Sequence, residues 1–442
     1  MSERIYILHL DSQQHRDRFL TAIASLSGFV CFGSPERQRQ ARRPWLSALP
    51  SRRFSDDRLT SAATLTELER ISSGLSKGQR IAGVFEYEAG YELERALTRF
   101  APGTTQPPIR AAVYDWFLSP CHQSDRNIEV HESALCPPEV SKKLNQILEE
   151  SRAAHAQNTL RIDPFRQEQP QASYEAKVAT VLEYILAGDC YQVNLSHRFQ
   201  SRFEGDLWQA YRHLVRRFPT DHAAYLNIDG DPVVSISPES FLEISQGKVV
   251  TRPIKGTRPR GKSEEEDSRL ANELEASIKD RAENIMIVDL LRNDLGRFCT
   301  SGSITAKPLL TLESYRNVHH LVSTVTGELD PKTPPVRALA CGFPGGSITG
   351  APKIRAMEII HELETSPRGP YCGSVFSLDD HGDLYSNIAI RTLYARGNEL
   401  FCHGGGGVVA DSVPSAEFQE TLDKVGPLME ELVKQFGPKT SP

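Results

Sequence analysis

The sequence predicts an α+β fold, in which runs of strands and runs of helix follow one another. Two runs of short strands separated by turn residues, at 223–251 and 371–410, carry this prediction. Between them a capping box formed by Ser263 and Glu266 predicts the start of a long helix. Because strands and helices do not alternate strictly, a parallel doubly wound sheet is disfavoured and an antiparallel arrangement is expected.

The N-terminal part predicts short strands and long polar loops. The segment Arg37–Arg53 is basic and interrupted by prolines, which predicts a surface loop. The stretch Pro164–Gln171 is rich in proline and glutamine and follows a predicted helix at Val140–Ala156, so the main boundary is placed there. The other elements predicted here are strands at Ile5–Leu10, Gly28–Phe32, Ile81–Tyr87 and Ala111–Leu118 and a helix at Leu65–Ile71.

From Ser173 onward the pattern is more regular. A predicted helix at Tyr174–Ala187 ends at Gly188, which is a favourable residue just after a helix. The short strands within 223–251 predict an antiparallel meander, and the helix from Ser263 is expected to run toward Leu295, apolar on nearly all sides after Ile285 and therefore buried. The remaining predicted elements are strands at Tyr191–Phe199, Tyr371–Leu378, Leu384–Tyr394 and Leu400–Ala410 and helices at Leu207–Arg217 and from Ser415, the last with a kink or restart at Pro427.

The composition is that of a globular cytoplasmic protein. The 442 residues are 39% hydrophobic and 24% charged, and this length predicts one large body or two intimately packed lobes. The net charge of −6 argues against a nucleic-acid-binding surface. No run approaches the roughly 20 apolar residues of a membrane span, and the first residues lack a signal-peptide pattern. Eight scattered cysteines without a Cys-x-x-Cys pair predict reduced thiols in the cytoplasm.

One lysine and two acidic pairs are the candidate chemical groups. Lys255 lies in a turn-like run, and a buried lysine readily loses its proton and becomes a nucleophile. The pairs Asp280/Glu283 and Glu417/Glu420 are each spaced by three residues, which places both members on one helix face. Paired carboxylates are suitable oxygen ligands for Mg²⁺. Taken singly, the pairs also fit surface salt bridges and Lys255 fits a solvated loop, so only their combination indicates a site.

Two glycine-rich segments and an arginine are candidate ligand-binding groups. Gly345–Lys353 precedes a predicted helix and is suited to present backbone N–H groups to an anion, although a tight turn explains it as well. Gly404–Gly407 indicates either a β-bulge or a close approach of the backbone to a ligand. Arg391 has apolar neighbours in a predicted strand, so its guanidinium needs a carboxylate from the protein or from a ligand.

Together these segments resemble the family of chorismate-utilising enzymes, over about Ser173 to Phe436. The motifs that carry the resemblance are Gly188–Ser196, Ser235–Glu239, Thr251–Thr257, Lys279–Leu290, Gly345–Lys353, Ile390–Leu393 and Ala410–Ser412, the last leading to Glu417 and Glu420. The resemblance implies a two-lobed α+β body like that of anthranilate synthase component I, with large packed antiparallel sheets, helices outside and a cleft between the lobes. It divides the chain into an N-terminal lobe, 1–165, and a chorismate-binding catalytic region, 171–437.

Two positions indicate a branch of this family. Lys255 stands where anthranilate and isochorismate synthases carry alanine. Gln192 stands where isochorismate and salicylate synthases carry a lysine that activates water, and glutamine cannot act as that base. The resemblance therefore implies amination of chorismate to 4-amino-4-deoxychorismate, for 4-aminobenzoate and folate synthesis.

The resemblance also implies roles for individual residues. Lys255 is expected to bond covalently to the chorismate ring, and Glu239 to protonate the departing C4 hydroxyl as a general acid. The expected cofactor is Mg²⁺, and its implied ligands are Glu283, Glu420, Asp280 and Glu417. The residues expected to line the substrate pocket are Gln192, Gly256, Thr257, His320, Tyr371, Arg391, Gly405, Gly406, Gly407 and Lys424.

Ammonia is expected to come from another protein. Cys341 and Cys372 are each followed by glycine, but neither lies in a strand-to-helix elbow followed by the His-x-Glu of a glutaminase. The resemblance implies a separate glutamine amidotransferase subunit. Two alternatives stay open: anthranilate synthase component I, and a non-catalytic metabolite-binding regulator on the same scaffold. Thr220–Tyr225 departs from the tryptophan-pocket segment of relatives, so tryptophan binding also stays open.

Overall fold

A computed structural model of the chain describes residues 3–34, 44–55, 60–101, 107–121, 124, 126–153, 160–315 and 318–438. Its helices are α1 (Gln13–Ala24), α2 (Ser61–Ser72), α3 (Ala89–Leu93), α4 (Pro138–Ala153), α5 (Gln171–Leu186), α6 (Trp208–Arg217), α7 (Glu264–Ala276), α8 (Ile278–Leu295), α9 (Pro335–Gly342), α10 (Lys353–Leu363) and α11 (Pro414–Phe436). None of these helices combines the length and the apolar character that crossing a bilayer requires. All eight cysteines are free thiols.

The strands of the first half are β1 (Arg4–Leu8), β2 (Phe29–Phe32), β3 (Trp45–Ser47), β4 (Arg52–Phe54), β5 (Arg80–Phe85), β6 (Ile109–Tyr114), β7 (Trp116–Pro120), β8 (Ile128–Glu132), β9 (Arg161–Ile162), β10 (Arg166–Gln167), β11 (Gln192–Glu204) and β12 (His222–Asn227). Those of the second half are β13 (Val233–Ser237), β14 (Ser240–Ser245), β15 (Lys248–Thr251), β16 (Ile254–Pro259), β17 (Thr305–Ala306), β18 (Thr311–Ser314), β19 (Val318–Val322), β20 (Val325–Glu328), β21 (Gly350–Ala351), β22 (Ser374–Asp379), β23 (Leu384–Asn387), β24 (Thr392–Arg396) and β25 (Glu399–Val408).

In the described part of the chain these strands form three sheets. The large sheet has thirteen strands in the order β1-β8-β7-β3-β2-β12-β13-β24-β25-β11-β10, and β9 and β21 also pair with β11. The second sheet has nine strands in the order β17-β20-β15-β14-β23-β22-β5-β6-β4, and the third has three in the order β16-β19-β18. Neighbouring strands such as β11 and β25, or β5 and β6, run antiparallel. The predicted α+β fold with large antiparallel sheets is confirmed.

The two large sheets pack against each other through a shared core. Val30 and Ala224 of the large sheet belong to the same buried cluster as Val84 and Val375 of the second sheet. A second buried cluster lies against the large sheet and contains apolar residues of helices α1, α4, α6 and α11. A third cluster includes strands of the second sheet and contains apolar residues of helices α2, α9 and α10. Helices therefore lie outside a double layer of sheet.

Both large sheets take strands from either side of the boundary predicted at Pro164–Gln171. In the large sheet β2 pairs with β12, through the register of Phe32 with Ala224. In the second sheet β5 pairs with β22, through Phe85 and Ser374. The division into 1–165 and 171–437 stays a prediction, because it is a division of the sequence and the sheets do not follow it.

The described part of the predicted loop Arg37–Arg53 contains strands β3 and β4, so a pure surface loop is wrong there. Trp45 stacks on Phe32 with ring centroids 4.9 Å apart, and both side chains are buried. The burial of these aromatic side chains accounts for a strand between prolines and basic residues.

The predicted meander within 223–251 is also wrong. Strands β12 and β13 pair in the large sheet, whereas β14 and β15 pair in the second sheet. The chain changes sheet at Pro238 and Glu239, between β13 and β14. Spacing along the sequence cannot distinguish a hairpin from such a crossover, because both need only a short turn.

The long helix predicted from Ser263 is two helices, α7 and α8, which meet at Ser277. The Ser277 hydroxyl accepts a hydrogen bond from the Asp280 N–H at 3.2 Å and so caps the start of α8. Helix α8 is not buried on all sides, since Ile285 is half exposed while Asn284 and Ile287 are buried. At the other end of the chain α11 runs through Pro427 without the predicted restart.

Candidate active site

Two crossovers between the large sheets lie side by side and carry Glu239 and Arg391. The first joins β13 to β14, and the second, from Ile388 to Arg391, joins β23 to β24. The Ile388 N–H donates to the Glu239 carbonyl at 3.2 Å, and the Ile236 N–H donates to the Arg391 carbonyl at 3.1 Å. The predicted strand Leu384–Tyr394 is therefore interrupted, and Arg391 lies outside the strands with a φ of 49°.

Lys255 lies on β16, not in the turn that the sequence indicates. The register with β19 shifts between Ile254 and Thr257, and Gly256 within this bulge has a φ of 82°. A Cβ at Gly256 would lie 2.8 Å from the Leu274 side chain and 2.9 Å from Asp280 Cγ. Glycine therefore lets the backbone beside Lys255 pass close to helices α7 and α8.

Burial lowers the pKa of Lys255. The neighbouring carboxylates of Glu283, Glu239 and Glu420 oppose this effect, and the ammonium of Lys424 adds to it, yet the pKa stays below its usual value. Desolvation of the ammonium is the largest cause. The arrangement favours the neutral amine, which is the nucleophilic form of lysine.

Glu239 is the complementary case, a buried carboxyl group with 7% exposure. Its Oε1 accepts a hydrogen bond from Ser347 Oγ at 3.4 Å, and its carboxylate also accepts one from the backbone N–H of Ile254. Burial raises its pKa to about 7, although Lys255 and these hydrogen bonds oppose the rise. Glu239 can therefore hold a proton near neutral pH, as a general acid must.

The carboxylates of α11 lie against the glycines of β25. Glu417 is buried, and its Oε1 accepts a hydrogen bond from Ser412 Oγ at 2.6 Å. Its Oε2 is buried without a hydrogen-bond partner among the described residues. Glu420 Oε1 pairs with Lys424 Nζ at 2.6 Å. A Cβ at Gly406 would lie 3.1 Å from Glu417 Oε2 and 3.4 Å from Glu420 Oε1, so the absent side chain leaves room beside both carboxylates.

The oxygen donors of three carboxylates, Glu283, Glu417 and Glu420, are of the type that a hard cation such as Mg²⁺ binds, so these residues are its candidate ligands. An unpartnered, buried carboxylate oxygen on Glu417 is costly unless a cation or donor meets it. Burial raises the pKa of Glu417 and of Glu283, which shows that both carboxylates would gain from a nearby positive charge. As arranged, no three His, Cys, Asp or Glu side chains in the described ranges converge closely enough to hold a metal. Asp280 is engaged elsewhere, since its Oδ2 accepts from Arg258 Nη2 at 3.2 Å.

Arg391 is the candidate for binding an anion. Burial lowers the pKa of its guanidinium, and no ion-pair partner for it occurs among the residues that the structure describes. Burial lowers the pKa of nearby His320, and the Arg391 guanidinium adds to this effect. The Nδ1 atom of His320 lies 2.9 Å from Thr257 Oγ1. An unpaired, largely buried guanidinium suits a ligand that brings its own carboxylate.

Two glycines of β25, Gly405 and Gly407, are approached by three predicted pocket residues. The glycine run lies inside β25, where it pairs with β11, and the pairing of β25 with β24 ends at Cys402. The other edge of the glycine run thus has no strand partner in the described chain. Lys424 Nζ donates to the Gly405 carbonyl at 3.1 Å. A Cβ at Gly405 would lie 2.7 Å from the Tyr371 hydroxyl, and one at Gly407 would lie 2.9 Å from Gln192 Nε2.

Gln192 and Tyr371 are both buried beside this glycine run. Neither polar atom of the Gln192 side chain has a hydrogen-bond partner within the described residues. Tyr371 stacks on His403 with ring centroids 5.0 Å apart, and it precedes β22, so the strand predicted at Tyr371–Leu378 begins later than expected. An unsatisfied buried amide in this position points to a polar ligand.

The segment Gly345–Lys353 contacts both Glu239 and the large sheet. Its Ser347 hydroxyl reaches Glu239, and Ala351 pairs with Gln192 in the large sheet. Lys353 begins α10 and lies 2.7 Å from both carboxylate oxygens of Asp294 on α8. The expected binding of an anion by these backbone N–H groups stays a prediction.

The sequence prediction missed four polar residues of this region. Ser347 and Ser412 hydrogen-bond to Glu239 and Glu417, Arg258 pairs with Asp280, and Lys279 acts electrostatically on Glu283. All four lie inside or next to motifs recognised in the sequence. A hydroxyl or cation within such a motif was the available signal, but the partner of each is set by the fold.

Comparison with known sequences identifies the family. The sequence profile of the family described as chorismate binding enzyme matches residues 29–430. Aminodeoxychorismate synthase component 1 from Klebsiella aerogenes is 42% identical over 350 residues, which cover 79% of this chain and 76% of that protein. The protein of the same name from Escherichia coli is 40% identical over 352 residues, covering 80% and 76%. Anthranilate synthase component 1 from Aquifex aeolicus is 44% identical over 256 residues, covering 58% and 52%.

Solved structures show the same fold. Anthranilate synthase component I from Streptococcus pneumoniae superposes with a TM-score of 0.72 at 29% identity, covering 96% of this chain and 92% of that one. The menaquinone-specific isochorismate synthase from Escherichia coli superposes with a TM-score of 0.74 at 18% identity, covering 98% and 95%. Because the family profile matches residues 29–430, which include every candidate site residue described above, the chain belongs to the family of chorismate-binding enzymes.

Proposed function

We propose that this protein is an aminodeoxychorismate synthase that converts chorismate and ammonia to 4-amino-4-deoxychorismate, for 4-aminobenzoate and folate synthesis. One observation carries the proposal: Lys255, whose pKa burial lowers, interacts electrostatically with Glu239, a buried carboxyl group whose pKa burial raises to about 7. The aminodeoxychorismate synthase relatives that match most of the chain support it.

In the first half-reaction Lys255 is the nucleophile. Its neutral amine adds to C2 of the chorismate ring, the ring double bonds shift, and the C4–O bond breaks. Glu239 donates its proton to the departing hydroxyl, which leaves as water. The new ammonium on Lys255 gives one proton back to Glu239, so the acid is restored and the products are a lysine adduct and one water.

The second half-reaction reverses this path with ammonia. Ammonia adds at C4, the double bonds shift back, and the C2–N bond to Lys255 breaks. Glu239 protonates the departing amine, and the ammonium formed at C4 loses a proton in return. The sum is chorismate plus ammonia to 4-amino-4-deoxychorismate plus water, with the enolpyruvyl group retained.

The carboxylate groups of the substrate need positive charge around them. Mg²⁺ held by Glu283, Glu417 and Glu420, with Asp280 nearby, would bind the ring carboxylate and withdraw electrons from the diene. The guanidinium of Arg391 is suited to the other carboxylate, because the described residues give it no partner. The Tyr371 hydroxyl, Lys424, His320, Gly256, Thr257 and the backbone of Gly405 to Gly407 would line the rest of the pocket.

We infer that ammonia comes from a glutamine amidotransferase subunit. The relatives named component 1 imply a second component. Gln192 lies fully buried with its amide unpartnered in the described chain, which suits a small polar molecule such as ammonia. A cytoplasmic location is proposed together with this pathway, since free cysteine thiols suit it.

Product identification tests the function. The protein is incubated with chorismate, ammonium and Mg²⁺, and the products are separated and identified by mass. The proposal predicts a product that keeps the enolpyruvyl group and carries an amine in place of the hydroxyl. Fluorescent anthranilate would instead favour the anthranilate synthase alternative, and unchanged chorismate would favour the non-catalytic alternative.

A further inference from the structure

Arg368 is a buried arginine that takes no part in the proposed chemistry, yet its side chain joins segments that do. We propose that Arg368 is a positioning residue for Glu239, acting through the segment that carries Ser347. This inference rests on the proposed role of Glu239 as the general acid. It assigns a function to a guanidinium that the sequence motifs leave unexplained.

The guanidinium of Arg368 is 1% exposed and makes four hydrogen bonds. Nη1 donates to the Ile348 carbonyl at 3.2 Å, and Nη2 donates to the Asn194 carbonyl at 2.6 Å. Nε and Nη2 also donate to the two carboxylate oxygens of Glu364 at 2.8 and 2.7 Å. One side chain therefore ties the segment of Ile348 to β11.

Further contacts fix Arg368 itself. The carboxylate of Glu88 accepts from the backbone N–H groups of Arg368 and Gly369, at 2.8 and 3.0 Å. The guanidinium lies over the ring of Tyr87, 4.4 Å from its centroid. Glu364, its bidentate partner, also accepts from the N–H and hydroxyl of Ser196 at 2.7 and 2.9 Å.

The path from Arg368 to the acid is short. Ile348, whose carbonyl Arg368 holds, directly follows Ser347, whose hydroxyl donates to Glu239. At the next residue the Asn194 N–H donates to the Thr349 carbonyl at 2.9 Å. The short helix at 346–348 is therefore fixed relative to β11 by contacts at its last residue and at the residue that follows it.

This geometry requires arginine and not simply a cation. The planar guanidinium donates in four fixed directions, to a carboxylate and to two carbonyls at once. Lysine could keep the charge beside Glu364 but cannot bond to both carbonyls and both carboxylate oxygens in these directions. Loss of either carbonyl contact frees the segment to shift, and a displacement of about 1 Å at an acid can lower a rate by roughly a hundredfold.

A matched pair of variants, Arg368→Lys and Arg110→Lys, separates positioning from folding. Arg110 is 2% exposed and pairs with Glu86 and Asp229 at 2.8 Å each, and none of these residues belongs to the proposed site. Both variants are assayed at a temperature where thermal unfolding shows them to be folded. We expect Arg368→Lys to lower kcat at least about tenfold with KM for chorismate within about threefold, because the transition state and not binding is affected. Arg110→Lys should keep the kcat of the native protein.

A double-mutant cycle tests the route. If Arg368 acts through Ser347, the variant with both Arg368→Lys and Ser347→Ala should have about the kcat of the slower single variant. A double-variant rate equal to the product of the two separate losses would overturn the proposal. Arg368→Lys with a native kcat, or Arg110→Lys with an equal loss of kcat, would overturn it too.

Two further measures keep the test decisive. If Arg368→Lys does not fold, Glu364→Gln is used in its place, since it weakens the same bidentate contact with little change in shape, and the same comparisons apply. Rates are followed as loss of chorismate, and products are identified separately by mass. Formation of a different product by the native protein would refute the proposed function while leaving the comparison of kcat values valid.

Discussion

Burial alone prepares Lys255 and Glu239 for opposite tasks. Desolvation removes charge from both groups, so it lowers the pKa of the lysine and raises that of the carboxyl group to about 7. Each group is therefore biased toward its neutral form, which for the lysine is the nucleophile and for the carboxyl group is the acid. The mutual attraction of their charged forms opposes both shifts but does not cancel them.

We expect kcat/KM for chorismate consumption to show a bell-shaped dependence on pH. On the acidic side Lys255 gains a proton and stops acting as a nucleophile, so kcat/KM rises with pH. On the alkaline side Glu239 loses its proton as the pH passes about 7, and kcat/KM falls. Steady-state kinetics across about pH 5.5 to 9.5 measures both limbs, with saturating ammonia checked at each pH because ammonium also titrates. A rate that still rises through the alkaline range would contradict the role of Glu239.

The raised pKa of Glu239 also predicts a cost in stability. The folded protein binds this proton more tightly than the unfolded chain, whose carboxyl group has the usual value of 4.5. The contribution of this group to stability is therefore complete below about pH 4.5 and is lost as the pH rises through about 7. Glu239→Gln mimics the protonated form and should be the more stable protein at pH 8, by up to roughly 3 kcal/mol, with the difference shrinking toward pH 5.

Thermal unfolding at both pH values measures that difference. Glu399→Gln, at an exposed glutamate at the start of β25, is the control for a change of one charge. A Glu239→Gln protein that gains no stability over the native protein between pH 5 and pH 8 would show that Glu239 is not desolvated as described.

For single residues, the sequence predicts which residues belong to the candidate site better than it predicts which residues they contact. Lys255 was recognisable because its residue type suits a nucleophile. Glu417 was recognisable because its residue type and its spacing from Glu420 suit a metal ligand. The pairing of Asp280 with Arg258, and the hydrogen bond of Arg368 to the Asn194 carbonyl of β11, depend on contacts between separate elements. No local pattern distinguishes Asp280, which is engaged by an arginine, from Glu417, which keeps a free oxygen.

The elements place the site where the chain passes from sheet to sheet. Glu239 and Arg391 lie in neighbouring crossovers, and Lys255 is the second residue of β16, the strand with which the chain enters the third sheet after β15 of the second. The backbone of such crossovers lies outside the regular hydrogen bonding of the strands. Its side chains can therefore approach one another where the chain leaves one sheet and enters the next. Sequence patterns predict the strands themselves well, as at Lys248–Thr251, but not which sheet each joins, because sheet membership is set by non-local pairing.

The glycine run of β25 is the element that brings backbone and carboxylates together. Gly406→Ala should weaken Mg²⁺ binding at least about tenfold, because a Cβ there would lie 3.1 and 3.4 Å from oxygens of Glu417 and Glu420. Isothermal titration with Mg²⁺ measures the affinity directly. Gly74→Ala is the control, since its Cβ would have no atom nearer than 3.8 Å. Equal Mg²⁺ affinity in the Gly406→Ala and native proteins would argue against ligands on α11.

The whole molecule is interlaced, because each large sheet uses strands from both ends of the chain. Removing residues 1–165 would expose the edge of β12 where β2 pairs, and the edge of β22 where β5 pairs. It would also divide the buried core that the two sheets share. The two regions predicted from the sequence are therefore expected to fold as one unit.

A fragment of residues 171–437 tests this expectation. Alone it should show no cooperative thermal transition, because unpaired strand edges and exposed apolar faces destabilise it. Co-expression with residues 1–165 should restore the transition and the ability to consume chorismate. A cooperative transition of the isolated fragment, measured by circular dichroism, would show that the catalytic region folds independently.

The proposed reaction depends above all on the covalent bond between Lys255 and the substrate. Its most direct test is intact-protein mass spectrometry after mixing with chorismate and Mg²⁺ in the absence of any ammonia source, followed by peptide mapping. We expect a species heavier by the mass of chorismate minus one water, located on the peptide that contains Lys255 and missing from the Lys255→Ala protein. A Lys255→Ala protein that forms 4-amino-4-deoxychorismate at the native rate from chorismate and ammonium, together with no adduct on the native protein, would contradict it.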